Sequence, residues 1–443
     1  MLQAHRVTAN GNPLDHVTPY DRFAWSAAEI ERWLASGAHR PELTAYFGRR
    51  EYATLAALAR RAERAMAQPL QVVLVPGIMG SQLGLKRPPP LPHDVLWVDP
   101  IDIQVRRLAN LRLPATAPIV SLGVVLFSHL RLKLYLRAQG FAVEFHDYDW
   151  RLPVAQLGAA LAHRLRAAAG ARVAVVAHSM GGLLARIALA LPGTSVVERV
   201  VLLGTPNCGS FAAVQALRGT YAVVRKVARI AAGASAEHLT AQVFSSFPSL
   251  YELLPWGDCG SRLDLFETAQ WPACGPQPRP ELLRAARLLR AQLAAADERY
   301  TVIAGVGQET VTAVARRRDD FVYTLTRHGD GTVPTASATL AGARTAYARV
   351  AHSELTRDPL VAAAVADVLR RGHTRRLPGT WHSHSRASVQ VSDRRLRRSH
   401  AQKVDWGALT AEQRRLFLQN LNEPPHLKLR LPAARRGTAR GRG

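Results

Sequence analysis

The stretch ARVAVVAHSMGGLLARIALAL, residues 171–191, decides the fold of this chain. An apolar run of strand length leads up to Ser179, and a segment rich in Ala and Leu, typical of a helix, follows at once. A serine at such a strand-to-helix corner, with small residues two positions away on each side, is the pattern of a nucleophile elbow. The small residues here are Ala177 and Gly181. The pattern predicts that Ser179 stands above the edge of a β-sheet as a candidate nucleophile.

A serine hydroxyl becomes a strong nucleophile when an imidazole takes its proton and a carboxylate orients that imidazole. On this type of sheet the acid and then the histidine follow the serine along the chain, each in a loop after a strand. Asp330, in the turn HGDGTVP, comes after a strand pattern at 321–325, and His352 comes directly after another at 346–350. An Asp between two glycines is also typical of a plain turn, and most of the 16 histidines are expected to be structural or exposed. The order of the three residues favours a triad of Ser179, Asp330 and His352.

Acyl transfer also requires two N–H donors directed at the oxyanion that forms on the substrate. The backbone N–H of Met180, the residue after the nucleophile, is the first donor. The loop VPGIMGS at residues 75–81 has two glycines that let the backbone approach the reacting carbon, and we assign the second donor to the N–H of Ile78. An ordinary glycine turn is the alternative interpretation of this loop.

Short apolar runs alternate with helical patterns over residues 69–369, which is typical of βαβ units and a mostly parallel sheet flanked by helices. The long segment at about 208–256, after the strand that follows the elbow, is where a helical cap or lid is expected. The predicted strands are 72–75, 142–145, 173–177, 199–203, 301–304, 321–325 and 346–350.

Residues 1–68 are predicted to form a helical N-terminal extension. Ser26 and Glu29 have the spacing of a capping box, and Trp25 and Ile30 have that of a hydrophobic staple. A second helix is predicted at about 53–67, where apolar residues recur at helical spacing.

Residues 370–443 form a basic C-terminal extension, with 18 Lys and Arg against 4 Asp and Glu. This excess of +14 is over half of the net charge of +25, so the charge is a local feature and nucleic-acid binding is not expected. A solvated, partly disordered extension with one short helix, capped by Thr410 and Gln413, is one interpretation. Contact of arginine runs such as 394–398 and 435–442 with an anionic membrane surface is the other.

The chain is predicted to be a globular, cytoplasmic protein. It has 48% apolar residues, no apolar run near the 18 residues or so that cross a bilayer, and no apolar segment behind a basic start. The three cysteines are too few for a disulfide framework, although Cys259 and Cys274 could pair if the protein were exported. No cofactor or metal is required by the predicted chemistry.

Several motifs occur in an order that resembles the lecithin:cholesterol acyltransferase-like family of α/β-hydrolases. They are VVLVPGIMGSQL (72–83), LWVDP (96–100), YDWR (148–151), AHSMGG (177–182), GTPNCGS (204–210), FPSLYELLP (247–255) and GDGTVP (329–334). The resemblance implies an α/β-hydrolase core, the triad Ser179, Asp330 and His352, and an oxyanion hole from Ile78 and Met180. It also implies cleavage of fatty acyl esters of lipids, with the acyl group passed to water or to an alcohol.

Three functions are therefore considered. The first is a serine-dependent lipid acyl-ester hydrolase or O-acyltransferase that works through an acyl-enzyme. The second is an antibacterial lipase effector exported without a signal peptide, which the missing signal and the basic extension suggest. The third is a non-catalytic α/β-hydrolase relative that binds a partner or an anionic membrane. An intact triad discriminates the third from the other two, because a binding protein need not keep it.

Overall fold

The computed structural model describes residues 24, 26–89, 91–168, 170–257, 259, 261–383, 387–398, 403–419 and 421. Trp25 of the predicted staple and the arginine run at 435–442 lie outside the described residues. The strands are β1 Leu70–Val75, β2 Ser81–Leu85, β3 Asp94–Trp97, β4 Val120–Val124, β5 Ala142–Phe145, β6 Arg172–His178, β7 Val197–Leu203, β8 Tyr300–Gly305, β9 Thr310–Arg317, β10 Asp320–Thr326, β11 Arg344–Ala348 and β12 Val389–Ser392. The helices are α1 Ala27–Ser36, α2 Arg40–Phe47, α3 Arg49–Glu63, α4 Pro100–Gln104, α5 Leu126–Ala138, α6 Val154–Ala167, α7 Gly181–Ala190, α8 Phe211–Leu217, α9 Ala222–Ile230, α10 Ala236–Gln242, α11 Pro248–Glu252, α12 Pro280–Ala286, α13 Thr335–Ala338, α14 Pro359–Arg371, α15 Asp393–Arg398 and α16 Ala411–Gln419.

The central sheet is parallel and has the strand order β11-β8-β7-β6-β1-β5. Its apolar runs are buried on both faces, as a parallel sheet covered by helices requires. Val73 and Val75 pack in the same core cluster as side chains of α6 and α7, whereas Val72 and Leu74 pack with side chains of α5 and α14. The predicted mostly parallel sheet flanked by helices is confirmed, and the sheet edge carries the loops that form the candidate site.

One predicted strand lies in a different sheet. The strand at 321–325 corresponds to β10, which pairs antiparallel with β9 and β12 in a separate three-stranded sheet. Its residues alternate between buried and partly exposed, the pattern of a strand with one covered face, unlike the buried runs of the central sheet. The β9–β10 hairpin is thus an insertion between β8 and the loop that carries Asp330.

The N-terminal helices α1 to α3 pack on α5 through a small apolar cluster that includes Ile30, Leu34 and Leu130. The predicted capping box is confirmed, because the Ser26 hydroxyl accepts from the Glu29 N–H and the Glu29 carboxylate accepts from the Ser26 N–H. The second predicted helix exists but begins and ends about four residues earlier, at Arg49–Glu63.

The segment expected to form a cap contains α8 to α11. The strongly amphipathic helix α9 buries Val223, Val224 and Val227 in the main core. The side chain of Lys403 donates to three carbonyls around the end of α9, those of Ala228, Ala231 and Ala234. This part of the basic extension is therefore hydrogen-bonded to the segment expected to form a cap.

The C-terminal extension also contributes a strand and a helix that the sequence pattern does not indicate, β12 and α15. Asp393, at the start of α15, is fully buried and accepts from Arg218 Nε at 2.7 Å and from the Tyr323 hydroxyl at 2.6 Å. The predicted cap of α16 is confirmed by reciprocal hydrogen bonds between Thr410 and Gln413. Among the described residues, no helix combines the length and the hydropathy that a membrane crossing needs. Cys259 and Cys274 form no disulfide.

Glu252, at the end of α11, gives a test of how the cap is joined to the sheet layer. Its carboxylate accepts from the N–H of Val154, the first residue of α6, at 2.7 Å, and burial raises the pKa of Glu252 to about 7. The unfolded chain loses this proton near pH 4.5, so the folded state binds the extra proton between about pH 4.5 and 7 and the free energy of unfolding falls as the pH rises.

We expect Glu252→Gln to remove this pH-dependent part of the free energy of unfolding. The difference in unfolding free energy between the variant and the wild type should shift in favour of the variant by up to about 3 kcal/mol from pH 4.5 to 8. Urea denaturation across this pH range measures the shift. Parallel stability profiles of the two proteins would contradict the assignment.

Candidate functional site

Ser179 lies at the corner between β6 and α7, with its backbone in the left-handed region at a φ of 53°. This conformation is strained for a residue with a side chain and is typical of a nucleophile elbow. The corner packs tightly: a Cβ on Gly181 would lie 2.4 Å from the carbonyl oxygen of Pro76, and one on Gly182 would lie 1.9 Å from Thr205 Oγ1. Glycine is required at both positions because the neighbouring strand loops approach so closely.

The three residues predicted from the sequence come together at this corner. His352 Nε2 lies 2.9 Å from Ser179 Oγ, and His352 Nδ1 lies 2.7 Å from Asp330 Oδ2. A carboxylate only accepts hydrogen bonds, so Nδ1 carries the proton and Nε2 is left as an acceptor for the serine hydroxyl. The backbone N–H of His352 also donates to the carbonyl of Asp330 at 2.8 Å, which ties the two loops together.

Asp330 serves both as a turn residue and as the partner of His352. Its Oδ1 accepts from the N–H groups of Thr332 and Val333 at 2.9 and 2.7 Å, which closes the turn, while Oδ2 faces His352. The carboxyl is fully buried. One carboxylate oxygen thus closes the turn, and the other faces the imidazole of His352.

His178, next to Ser179, packs against the ring of His352 with centroids 4.7 Å apart. Its Nε2 lies 3.1 Å from the carbonyl oxygen of His352, so Nε2 must be the protonated nitrogen that donates. Burial, together with the neighbouring His352 and His129, holds the pKa of His178 well below its ordinary value. His178 is thus neutral and supports the backbone of the loop that carries His352.

The loop with Ile78 lies beside the elbow. A Cβ on Gly77 would lie 2.8 Å from Ser179 Cβ, and Ile78 lines the same pocket as Ser179. Met180 lies between Ser179 and the first residue of α7, at the N-cap position, and its side chain is buried. Both predicted amide donors therefore belong to backbone segments that flank Ser179.

Three aromatic side chains hold this loop, and sequence reasoning assigned no role to them. The Tyr148 hydroxyl donates to the carbonyl of Pro76 at 2.6 Å, the Trp97 indole donates to that of Met79 at 3.0 Å, and the Trp150 indole donates to that of Ser81 at 3.0 Å. Met79 has a left-handed backbone, with a φ of 60°. The signal was present in the motifs LWVDP and YDWR, where buried polar aromatics sit among turn residues.

A narrow pocket of about 80 Å³ opens at Ser179. One wall comes from the segment expected to form a cap. Most of its lining residues are apolar, with small ones on α8, and Ser210 and Tyr221 are the polar ones. Its apolar members are Ala212, Ala213, Ala216, Val223, Leu250 and Leu253. Among the described residues, no group of three or more His, Cys, Asp or Glu side chains is arranged to hold a metal ion.

The sheet order, the elbow and the helical layers define an α/β-hydrolase fold. A family model described as "PGAP1-like alpha/beta domain" matches residues 163–245, which span the elbow and most of the cap. No curated protein sequence matches the chain.

Several solved structures are similar in fold. The mature lipase BlEst2 of Bacillus licheniformis is 17% identical, with 68% of this chain and 91% of that chain covered and a TM-score of 0.35. The chain matched in the Tle4–Tli4 complex is 15% identical, with coverages of 69% and 99% and a TM-score of 0.39. Phospholipase PlaB of Legionella pneumophila is 11% identical, with coverages of 69% and 61% and a TM-score of 0.34.

Proposed function

We propose that this chain is a serine-dependent acyl-ester hydrolase of lipids that works through an acyl-enzyme. The observation that carries the proposal is the chain of contacts from Asp330 through His352 to Ser179, with the serine on a strained elbow at the mouth of a pocket. A non-catalytic relative has no need to keep these three groups within hydrogen-bond distance. The geometry therefore favours catalysis over a purely binding role.

In the first half-reaction, Ser179 Oγ attacks the ester carbonyl carbon while His352 Nε2 takes the hydroxyl proton. Asp330 stabilises the resulting imidazolium and keeps it oriented. The N–H groups of Ile78 and Met180 are assigned to the oxyanion of the tetrahedral intermediate. His352 then gives the proton to the leaving alcohol oxygen, which leaves the acyl group on Ser179.

In the second half-reaction, water or an alcohol attacks the acyl-enzyme with His352 as the base. The apolar wall of the pocket suits a fatty acyl chain, because burial of each methylene contributes about 0.8 kcal/mol. Attack by water gives hydrolysis, and attack by an alcohol gives the O-acyltransferase activity of the lecithin:cholesterol acyltransferase-like family, which the sequence motifs suggest. Both outcomes use the same groups.

The test combines active-site labelling with product analysis. A fluorophosphonate probe should label the native protein on Ser179, and a mixture of lipid esters incubated with and without an added alcohol should release fatty acid or form new esters, as read by mass spectrometry. Absence of labelling, with no ester consumed, would reject the proposal.

Two further ideas from the sequence stay hypotheses. Export as an antibacterial effector predicts that the protein reaches a competing cell, and its confinement to the producing cell during competition would remove that idea. Contact of the basic extension with anionic membranes predicts cosedimentation with phosphatidylglycerol vesicles that weakens with salt. Equal binding to neutral vesicles would remove the second idea.

Tyr148→Phe tests whether the aromatic side chains position the loop at residues 75–81, which carries the proposed oxyanion donor Ile78. The variant keeps the ring and loses the hydroxyl bond to Pro76, so we expect kcat to fall about tenfold with little change in KM. The rate of fluorophosphonate labelling should fall in parallel, because that reaction also builds charge on an oxyanion. A purely structural role would lower the thermal midpoint and leave kcat and the labelling rate unchanged.

The matched control is Tyr251→Phe. Tyr251 is a buried tyrosine whose hydroxyl donates to the carbonyl of Ser245 at 2.7 Å, within the cap segment. We expect this control to keep kcat within about twofold. Equal loss of kcat in both variants would remove the positioning role of Tyr148.

A further inference from the structure

The pocket at Ser179 is small for a fatty acyl chain. An apolar cavity of about 150 Å³ holds one benzene, so a pocket of about 80 Å³ leaves room for about three or four carbons. A longer acyl chain therefore needs one wall to move. The loop at residues 75–81 is held by aromatic hydrogen bonds and the triad must keep its geometry, so the wall that can yield comes from the segment expected to form a cap. This segment, residues 208–256, is called the cap segment below.

Helix α9 connects that wall to the far side of the cap segment. Tyr221, the N-cap of α9, and Val223, in its first turn, line the pocket. The helix ends at Ile230, about 12 Å further along its axis. Because a helix is a stiff element, whatever holds its last turn also restricts the movement of its first turn.

The last turn of α9 is held by the basic C-terminal extension. The ammonium group of Lys403 donates to the three carbonyls described above at 2.6, 2.9 and 2.5 Å, and the Val404 N–H donates to the carbonyl of Arg229 at 2.9 Å. The last carbonyls of a helix have no partner within the helix, and the helix dipole favours a cation there. The extension therefore caps α9 with groups that are distant in sequence.

A second contact of the extension with the cap segment lies between α8 and α9. Asp393 accepts from Arg218 Nε at 2.7 Å and from Thr220 Oγ1 at 3.3 Å, and the ion pair of Arg218 and Asp393 is fully buried. Arg218 directly follows α8, the helix that places three alanines in the pocket wall. The extension thus contacts both helices that contribute most of the wall.

The extension is also attached outside the cap segment, before and after these contacts. Strand β12 pairs with β10, and Gln419 on α16 donates through Nε2 to the carbonyl of Phe47, the last residue of α2, at 3.0 Å. Trp406, between these attachments, is buried in the main core. Attachment on both sides lets the extension resist outward movement of the cap segment. Its described residues 389–398 and 403–419 are called the clasp below.

We propose that the clasp holds the pocket wall in place, and that Lys403, acting through α9, limits the length of the acyl chain that the pocket accepts. This inference rests on the proposed acyl-enzyme function. Lys403 does not line the pocket, so it is a positioning residue. A short acyl group fits beside Ser179 without any movement of the wall. A longer chain must displace α9 against the hydrogen bonds of Lys403, which lowers kcat/KM for long-chain esters only.

The experiment compares two dissolved esters, p-nitrophenyl butanoate and p-nitrophenyl octanoate, in the wild type and in Lys403→Met. Methionine keeps a flexible apolar stem and loses the three hydrogen bonds. We expect the ratio of kcat/KM for octanoate to that for butanoate to rise about fivefold to tenfold, while kcat/KM for butanoate stays within about twofold. A lower thermal midpoint with an unchanged ratio would show that Lys403 only stabilises the fold, and would overturn the proposal.

Arg376→Met is the matched control. Arg376 belongs to the same basic extension, and its Nε donates to Asp367 of α14 at 2.8 Å, outside the cap segment. The control loses a charged hydrogen bond of the extension but none to α9, so it should keep the wild-type ratio. A rise as large as that of Lys403→Met would remove the specific role of Lys403.

Val223→Ala tests the wall itself. The substitution removes two methyl groups from the first turn of α9, where the side chain lines the pocket. We expect the octanoate to butanoate ratio to rise as it does in Lys403→Met. An unchanged ratio would mean that the acyl chain does not lie along this wall, which would also overturn the proposal.

The failure of this proposal differs from the failure of the proposed function. No release of p-nitrophenol from either ester, with no fluorophosphonate labelling, would reject the function itself. Release from both esters with a ratio that Val223→Ala raises and Lys403→Met does not would reject only the clasp. If Lys403→Met does not fold by circular dichroism, Lys403→Gln, which loses the charge and keeps a polar end, decides by the same ratio.

Discussion

Ser179→Ala is expected to lower kcat for ester cleavage by about 10⁵ to 10⁶ and to abolish fluorophosphonate labelling. The Ser179 hydroxyl is the atom in contact with His352 Nε2, and no other hydroxyl is in hydrogen-bond contact with that nitrogen among the described residues. Alanine has the same Cβ as serine, so the left-handed backbone at this corner is equally strained in both proteins. The fold should therefore be retained, and the loss should be chemical.

The matched control is Ser249→Ala. Ser249 is fully buried on α11, and its hydroxyl has no partner among the described residues. We expect this variant to keep full labelling and a kcat within about twofold of the wild type. Labelling that persists at wild-type level in Ser179→Ala would show that the probe reacts elsewhere and would remove the assigned nucleophile.

The candidate triad could be predicted from the sequence because its members follow one another in the order that this type of sheet requires, although Asp330 and His352 each have an ordinary structural interpretation when taken alone. Ser179 sits between a run of strand residues and a helix, and His352 follows a strand. Asp330 is in a glycine turn. Strand ends of a parallel sheet meet at one edge, so order along the chain was enough to predict proximity.

The sheet from which the Asp330 loop extends could not be predicted in the same way. A short alternating strand indicates one covered face but not which sheet it joins, and β10 pairs with the hairpin partner β9 instead of the central sheet. The loop nevertheless reaches the sheet edge, because a Cβ on Gly305, at the end of β8, would lie 2.5 Å from Asp330 Cβ. The prediction of the residue was thus independent of the error in the strand.

Long-range partners gave no local signal at all. The buried pair of Arg218 and Asp393 joins residues 175 positions apart, and Asp393 stands in an arginine-rich stretch that looks solvated. The bonds from Tyr148 and Trp97 to the loop at residues 75–81 likewise join separate motifs. Composition and periodicity describe single segments, whereas these contacts depend on how the segments meet.

Asp330→Asn is expected to lower kcat by about 10⁴ while the turn around it is kept. The asparagine carbonyl oxygen can accept from the N–H groups of Thr332 and Val333, as Oδ1 of the aspartate does. Its NH₂ group then faces His352 Nδ1 and donates to it, so the imidazole must carry its proton on Nε2. An Nε2–H cannot take the proton of Ser179, and the charged imidazolium of the transition state loses its carboxylate.

Asp358→Asn controls for the change from carboxylate to amide at a capping position. Asp358 Oδ1 also accepts from two N–H groups, those of Leu360 and Val361 at 2.8 and 2.9 Å, at the start of α14. We expect the control to keep kcat and to change only the thermal midpoint, because this N-terminal turn of α14 lies outside the pocket at Ser179. A kcat of Asp330→Asn within about tenfold of the wild type would mean that His352 does not need this carboxylate, and the triad would have to be withdrawn.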